Sequence, residues 1–384
     1  MAYAIPFIIL MQVCTIINVV TASNDLKLRS KFSSILVFGD STVDTGNNNY
    51  IKTLAKGNHL PYGRDFPNHV PTGRFSNGKL AIDFLASTMN LKDTVPPFLD
   101  PNLSNEELLT GDKTTTSTKI DVRTSFLTGV SFASGGSGFD DLTIALSGAI
   151  SISKQIEYFK NYVTKVKSIV GEKEAKNRLG NALVIISAGT NDFLFNFYDI
   201  PTRRLEFNIS GYQDYIQSKL QIFIEELYDL GCRKFAVAGL PSIGCIPVQI
   251  TAKFVNLKDR KCVEDENLEA KIYNQKLARR LLKLQAVLQG SRIIYTNIYD
   301  PLIGLIYHPQ KYGFVETSKG CCGTGLFEVT PLCNELTPVC NDASKYVFWD
   351  SVHPTQATYK YIAKYLELEV LPKFQFQRDY NIFD

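Results

Sequence analysis

Charge of one sign is not in surplus in this chain: 41 basic side chains face 38 acidic ones in 384 residues, for a formal net charge of +3 at pH 7. A nucleic-acid partner needs a basic stripe, and none is present. The densest charged run, residues 165 to 178, mixes both signs and reads as a solvated helix end. Long apolar runs are missing after residue 22, so no later segment offers the roughly 20 residues of a membrane-spanning helix. Internal repeats and Pro-, Gly- or Ser-rich linkers are also missing, which points to one domain over residues 23 to 384. The polar stretch at 100 to 119 reads as a surface insertion within it. The cysteines lack the paired C-x-x-C spacing of a zinc knuckle. Metal is not expected, and the oligomeric state is left open.

The N-terminus lacks charged side chains altogether. Residues 1 to 22 are mostly apolar, with FIIL at 7 to 10 and small residues at Thr21, Ala22 and Ser23, the pattern of a cleaved secretory signal. Gln12, Thr15 and Asn18 interrupt the apolar run, which argues against a stable anchor. Export would leave seven of the eight cysteines, since Cys14 departs with the leader, in a compartment where disulfides persist. Cys321, Cys322, Cys333 and Cys340 are expected to form two bridges of undetermined connectivity. Cys245 and Cys262 form a plausible third pair, and Cys232, at the end of a predicted helix, is the candidate free thiol. Asn102-Leu103-Ser104 and Asn208-Ile209-Ser210 are glycosylation sequons.

Two segments some three hundred residues apart carry the chemistry: FGDSTVDTGNNN at 38 to 49 and FWDSVHPT at 348 to 355. A serine hydroxyl is a weak nucleophile unless a histidine takes its proton and an acid holds that histidine in the right tautomer. Ser41, Asp350 and His353 supply all three groups. Taken alone, a GDS tripeptide more often caps a helix, and a D-x-x-H pair could be a loop ion pair or half a metal site. Two further segments change the balance. ISAGTNDF at 186 to 193 continues the apolar run 182 to 186, which reads as a buried parallel strand. Asn191 then falls at the carboxyl edge of the sheet, where its amide can donate to a developing oxyanion. VSFASGGSGFD at 130 to 140 supplies glycines whose backbone can approach a ligand closely. The bland alternatives are a turn residue for Asn191 and a flexible loop for the glycines.

With these blocks in hand, the chain resembles the plant GDSL esterase/lipase family of the SGNH hydrolase superfamily, from Ile35 to about Leu371. PYGRDFP at 61 to 67, PTGRFSNGKLAIDFLA at 71 to 86, PPFL at 96 to 99, GLPSIGCIP at 239 to 247 and CCGTG at 321 to 325 belong to the same likeness. The family's leucine is Thr42 here. The resemblance implies Ser41 as nucleophile, His353 as base and Asp350 as its orienting acid. It also implies an oxyanion hole of the Ser41 amide, Gly136 (which adjoins Gly135) and Asn191, with no metal or organic cofactor. His59, His69 and His308 fall in no catalytic block and read as structural or surface residues. No G-x-S-x-G pentapeptide occurs, so the nucleophile elbow of the α/β-hydrolases is excluded.

Short apolar runs at 35 to 38, 182 to 186, 235 to 238 and 293 to 295 alternate with helical stripes. Ile152, Ile156, Phe159, Val163, Val166 and Val170 form one stripe, and Ile216, Leu220, Phe223, Leu227 and Leu230 another. Such alternation implies a three-layer α/β/α sandwich with a mainly parallel sheet. The favoured function is a secreted esterase or lipase acting on small-molecule or lipid esters. Its rivals are an acyltransferase on the same site and a non-catalytic secreted binding protein.

Overall fold

A computed structural model describes residues 32–103, 127–253 and 259–374. The expected leader and most of the 100 to 119 insertion lie outside the described residues. Five parallel strands, β1 (Ile35–Gly39), β2 (Gly129–Ser131), β3 (Leu183–Ser187), β4 (Lys234–Ala238) and β5 (Arg292–Thr296), form one sheet in the order β2-β1-β3-β4-β5. Register is set by pairs such as Val37 with Ile185 and Ala236 with Ile294.

The inner strands read as nearly continuous apolar runs because helices cover both faces and each residue faces one layer or the other. Leu36, Phe38, Val184, Ile186, Phe235 and Val237 belong to one core cluster, while Ile35, Val37, Leu183, Ile185 and Ala236 belong to the second. Helices α1 (Ala81–Thr88) and α9 (Gln356–Glu369) cover the second face. Between them in the chain come α2 (Asp141–Ser147), α3 (Ile152–Val170), α4 (Glu172–Asn181), α5 (Ile209–Asp229), α6 (Pro247–Lys253), α7 (Glu264–Val287) and α8 (Tyr299–Tyr307). Helices α3, α4, α5 and α7 pack on the first face. The expected α/β/α sandwich is the observed fold.

Three features depart from the sequence reading. Gly129–Ser131 is an edge strand, not part of a loop. The charged run at 165 to 178 spans two helices, α3 and α4, because Gly171 at φ +83° caps the first and opens the second. A second, two-stranded parallel sheet, β6 (Glu316–Gly320) with β7 (Tyr346–Phe348), carries the chain into its last loop. No helix among the described residues is long and apolar enough to cross a membrane.

The strand order places a topological switch at β1: the chain leaves β1 for β2 on one side and returns to β3 on the other. In such sheets the two connections diverge above the strand ends and open a crevice there, which is where ligands bind. Ser41 follows β1 and Asn191 follows β3.

Candidate active site

Residue Gly39 ends β1 at φ +141°, and a Cβ there would lie 1.8 Å from the Ser187 carbonyl oxygen, so only glycine lets the chain turn against β3. Gln155 of α3 grips this turn from behind: its Oε1 accepts from the Gly39 amide at 3.0 Å and its Nε2 donates to the Gly39 carbonyl at 2.9 Å. Asp40 is buried, which pushes its carboxyl up to about 6, and it accepts from the amide and hydroxyl of Thr42. Thr42, where the family has leucine, also meets the Ser187 hydroxyl at 3.0 Å. That departure fastens the turn and leaves Ser41 untouched.

Ser41, His353 and Asp350 form a hydrogen-bonded chain. His353 Nε2 lies 2.8 Å from Ser41 Oγ, and His353 Nδ1 lies 2.7 Å from Asp350 Oδ2. Asp350 is fully buried and acts as acceptor throughout: Oδ1 takes the amides of Val352 and His353 at 2.8 and 2.7 Å, and Oδ2 takes the Tyr62 hydroxyl at 2.8 Å. An acceptor-only carboxylate requires the proton on Nδ1, which leaves the Nε2 lone pair aimed at the serine hydroxyl. Phe75, buried, packs its ring against the imidazole with centroids 5.1 Å apart.

The candidate oxyanion donors come from three separate segments. The amides of Ser41 and Gly136 have no acceptor among the described residues, whereas the Gly135 amide donates to Asp44 Oδ2 at 2.9 Å. The neighbouring glycines are thereby separated: Gly135 is committed to the fold, and Gly136, at φ +88°, presents a free N–H. Asn191 Nδ2 donates to the Ser137 carbonyl at 2.9 Å, and its second hydrogen remains for a ligand.

Several supporting residues escaped sequence reasoning. Asp44, whose carboxyl burial pushes up to about 6, also accepts from the amides of Gly46 and Asn47. Asn47 Nδ2 bridges the carbonyls of Ser131 and Ala133, and Asn48 Nδ2 donates to that of Gly135. The DTGNNN run is thus a clamp on the loop after β2. Asp192, next to Asn191, accepts from the amides of Phe139 and Asp140 and from Thr143, and burial pushes its carboxyl up to about 7. Gln155 did carry a signal, a glutamine on the core-facing stripe of α3. Tyr62 carried none beyond its block.

The last loop is held from outside. Cys321 bonds Cys340, and Cys322 bonds Cys333. The amides of Cys321 and Cys322 donate to the carbonyls of Phe348 and Trp349, two positions and one position before Asp350. Cys245 bonds Cys262, and Cys232 is the free, buried cysteine among the described residues. His59 bonds the Leu60 carbonyl and Thr330, His69 bonds the Arg64 carbonyl, and neither touches the triad. No cluster of three or more metal-ligating side chains occurs among the described residues.

The family model for GDSL-like lipases/acylhydrolases matches residues 35–366. The chain belongs to this family. Three Arabidopsis thaliana proteins, each named a GDSL esterase/lipase, are 51, 50 and 49% identical to it over 341 residues, which is 88% of this chain and 89 to 90% of theirs. The matched span of this GDSL-family chain runs from β1 into α9, and so takes in Ser41, Asp350, His353 and the candidate oxyanion residues.

Proposed function

We propose that this protein is an exported carboxylic ester hydrolase that works through an acyl-enzyme on Ser41. The observation that carries the reading is the unbroken chain Ser41–His353–Asp350, with contacts of 2.8 and 2.7 Å beside two unengaged amides. Ser41 Oγ attacks the ester carbonyl carbon while His353 Nε2 takes its proton. The oxyanion is held by the amides of Ser41 and Gly136 and by Asn191 Nδ2. Collapse expels the alkoxide, which leaves as alcohol with the proton from His353. Water then attacks the acyl-serine, His353 takes its proton, and the acid departs as Ser41 recovers its hydrogen. Asp350 stabilises the imidazolium in both halves.

Residues 23 to 384 are assigned to one catalytic domain preceded by a leader at 1 to 22. Three disulfides support export. Asn102 and Asn208 are both exposed and remain the candidate glycan sites; Asn208 also caps α5 through its Oδ1, leaving its nitrogen outward.

A fluorophosphonate probe should label the wild-type protein on the peptide holding Ser41. Ser41→Ala should abolish labelling and lower kcat by about 10⁴ to 10⁶. Labelling of another residue, or undiminished turnover in the variant, would overturn the assignment.

A further inference from the structure

Beneath the triad lies a cavity that the hydrolytic chemistry does not use. It opens beside Ser41, Asn191 and His353 and continues between the sheet and helices α1 and α9, past Ile185, Ala236, Ile362 and Leu366. The second face is sealed at Ile35, Val37 and Leu183, which are 0, 0 and 1% exposed, but not along its whole width. On the α3, α5 and α7 side, Val184, Phe235 and Val237 are 0% exposed; on the other side, Ile185 and Ala236, in mid-strand, keep 8% and 7% although helices cover them. Protein layers normally pack with few voids larger than a water molecule. Here about 120 Å³ stays empty.

The direction of the cavity follows from α9. That helix starts three residues past His353, at the carboxyl edge of the sheet, and its chain reaches the opposite edge, where Arg292 at the start of β5 donates to the Lys373 carbonyl at 3.1 Å. Tyr359, Ile362, Leu366 and Val370 all line the cavity, a single stripe down the helix. Polar lining groups such as Asp40, Thr296 and Tyr359 sit at the level of the strand ends, and the floor is apolar.

Resting on the reading of Ser41 as nucleophile, we infer that this cavity takes the acyl chain of the substrate, and that Leu366 limits its volume. A pocket that leads inward from the nucleophile suits the acyl group, which stays bonded to Ser41 until water arrives. The alcohol must leave before deacylation, and a cavity leading into the core would retain it. Volume, not length, limits the chain. An apolar cavity of about 150 Å³ takes up benzene, so this one holds roughly four or five carbons. The substrate class is an ester of a short aliphatic acid, of about butanoyl to hexanoyl length.

The test is kcat/KM on p-nitrophenyl esters from acetate to dodecanoate, for wild type, Leu366→Ala and Ala236→Val, each checked by thermal melting. Wild type should gain about fourfold per added methylene up to butanoate or hexanoate, the factor that burying one methylene supplies, and fall beyond. Leu366→Ala should move the optimum two or three carbons longer. Ala236→Val, which suits a strand and fills the cavity, should move it shorter, and it decides the matter alone if the first variant does not fold. An optimum that stays in place in the folded variants, with all esters scaled alike, would remove the acyl site. Fluorophosphonate labelling of wild-type Ser41 separates the two readings: labelling with an unmoved optimum refutes this inference only, and no labelling brings down the hydrolase reading together with it.

Discussion

The Tyr62 hydroxyl donates to Asp350 Oδ2 at 2.8 Å across 288 positions of sequence. Tyr62 is fully buried, and its oxygen accepts the Thr330 amide at 3.0 Å, so its own hydrogen is directed at the carboxylate. Burial holds this phenol protonated, well above its ordinary range. Under the proposed mechanism Tyr62 is therefore a positioning residue, acting on the histidine through the acid. Tyr62→Phe keeps the ring and removes one charge-assisted bond. Steady-state kinetics should show kcat lower by about 10-fold with KM nearly constant, the scale of a bond worth roughly 1.5 to 3 kcal/mol that is only partly felt at the imidazole. An unchanged kcat with a lowered Tm would reduce Tyr62 to a packing role.

The Asn191 amide holds the Ser137 carbonyl, and under the proposed mechanism it also serves the oxyanion. Asn191→Ala should cut kcat by about 10² to 10³ with little change in KM, as loss of one oxyanion donor does. It should also lower Tm by a few degrees, because a buried carbonyl loses its donor. Melts and kinetics on one preparation distinguish the roles: a lower Tm with kcat retained would leave Asn191 only the loop.

Buried carboxyls give stability an acid-side maximum. Burial raises Asp192 from 3.8 to about 7 and Asp44 from 3.8 to about 6. Between those limits the folded protein holds protons that the unfolded chain has released, so stability falls as pH rises through the window. Asp140, whose bonds with Arg203 outweigh its burial and hold it below the ordinary range, acts oppositely: its contribution is lost as pH falls through the acid range. Tm should be higher near pH 5 than near pH 7. Asp192→Asn should flatten that slope, and a slope of the same size in the variant would exonerate Asp192.

Cys322 and Cys333 are fully buried beside Trp349, and their bridge closes a loop of sequence separation 11. Replacing both with serine should cost about 2 to 3 kcal/mol of stability. Because the Cys322 amide holds the Trp349 carbonyl, activity should be lost on warming before the circular dichroism melts; coincident curves would detach the bridge from the loop. Burial also pushes the Cys232 thiol up, so it should react with a thiol reagent only after denaturation.

Local pattern determined much of this protein. Four of the five strands of the main sheet, the α3 and α5 stripes and the segments bearing Ser41, Asn191, Asp350 and His353 were legible because apolar periodicity and motif chemistry are written within ten or twenty residues. Gly129–Ser131 was not, since three residues beside glycines carry too little pattern to distinguish a strand from a loop. Tertiary structure alone decided which cysteines pair, because four thiols within twenty residues permit three pairings until the chain path brings two sets into contact. It also decided between Gly135 and Gly136: the two are alike in sequence, and they differ only because Asp44, about ninety positions earlier, consumes the amide of the first. Tyr62 and the cavity beneath Ser41 belong to the same class. Each depends on where surfaces from distant segments meet or fail to meet, and a contact across 288 positions leaves no local signature in either partner.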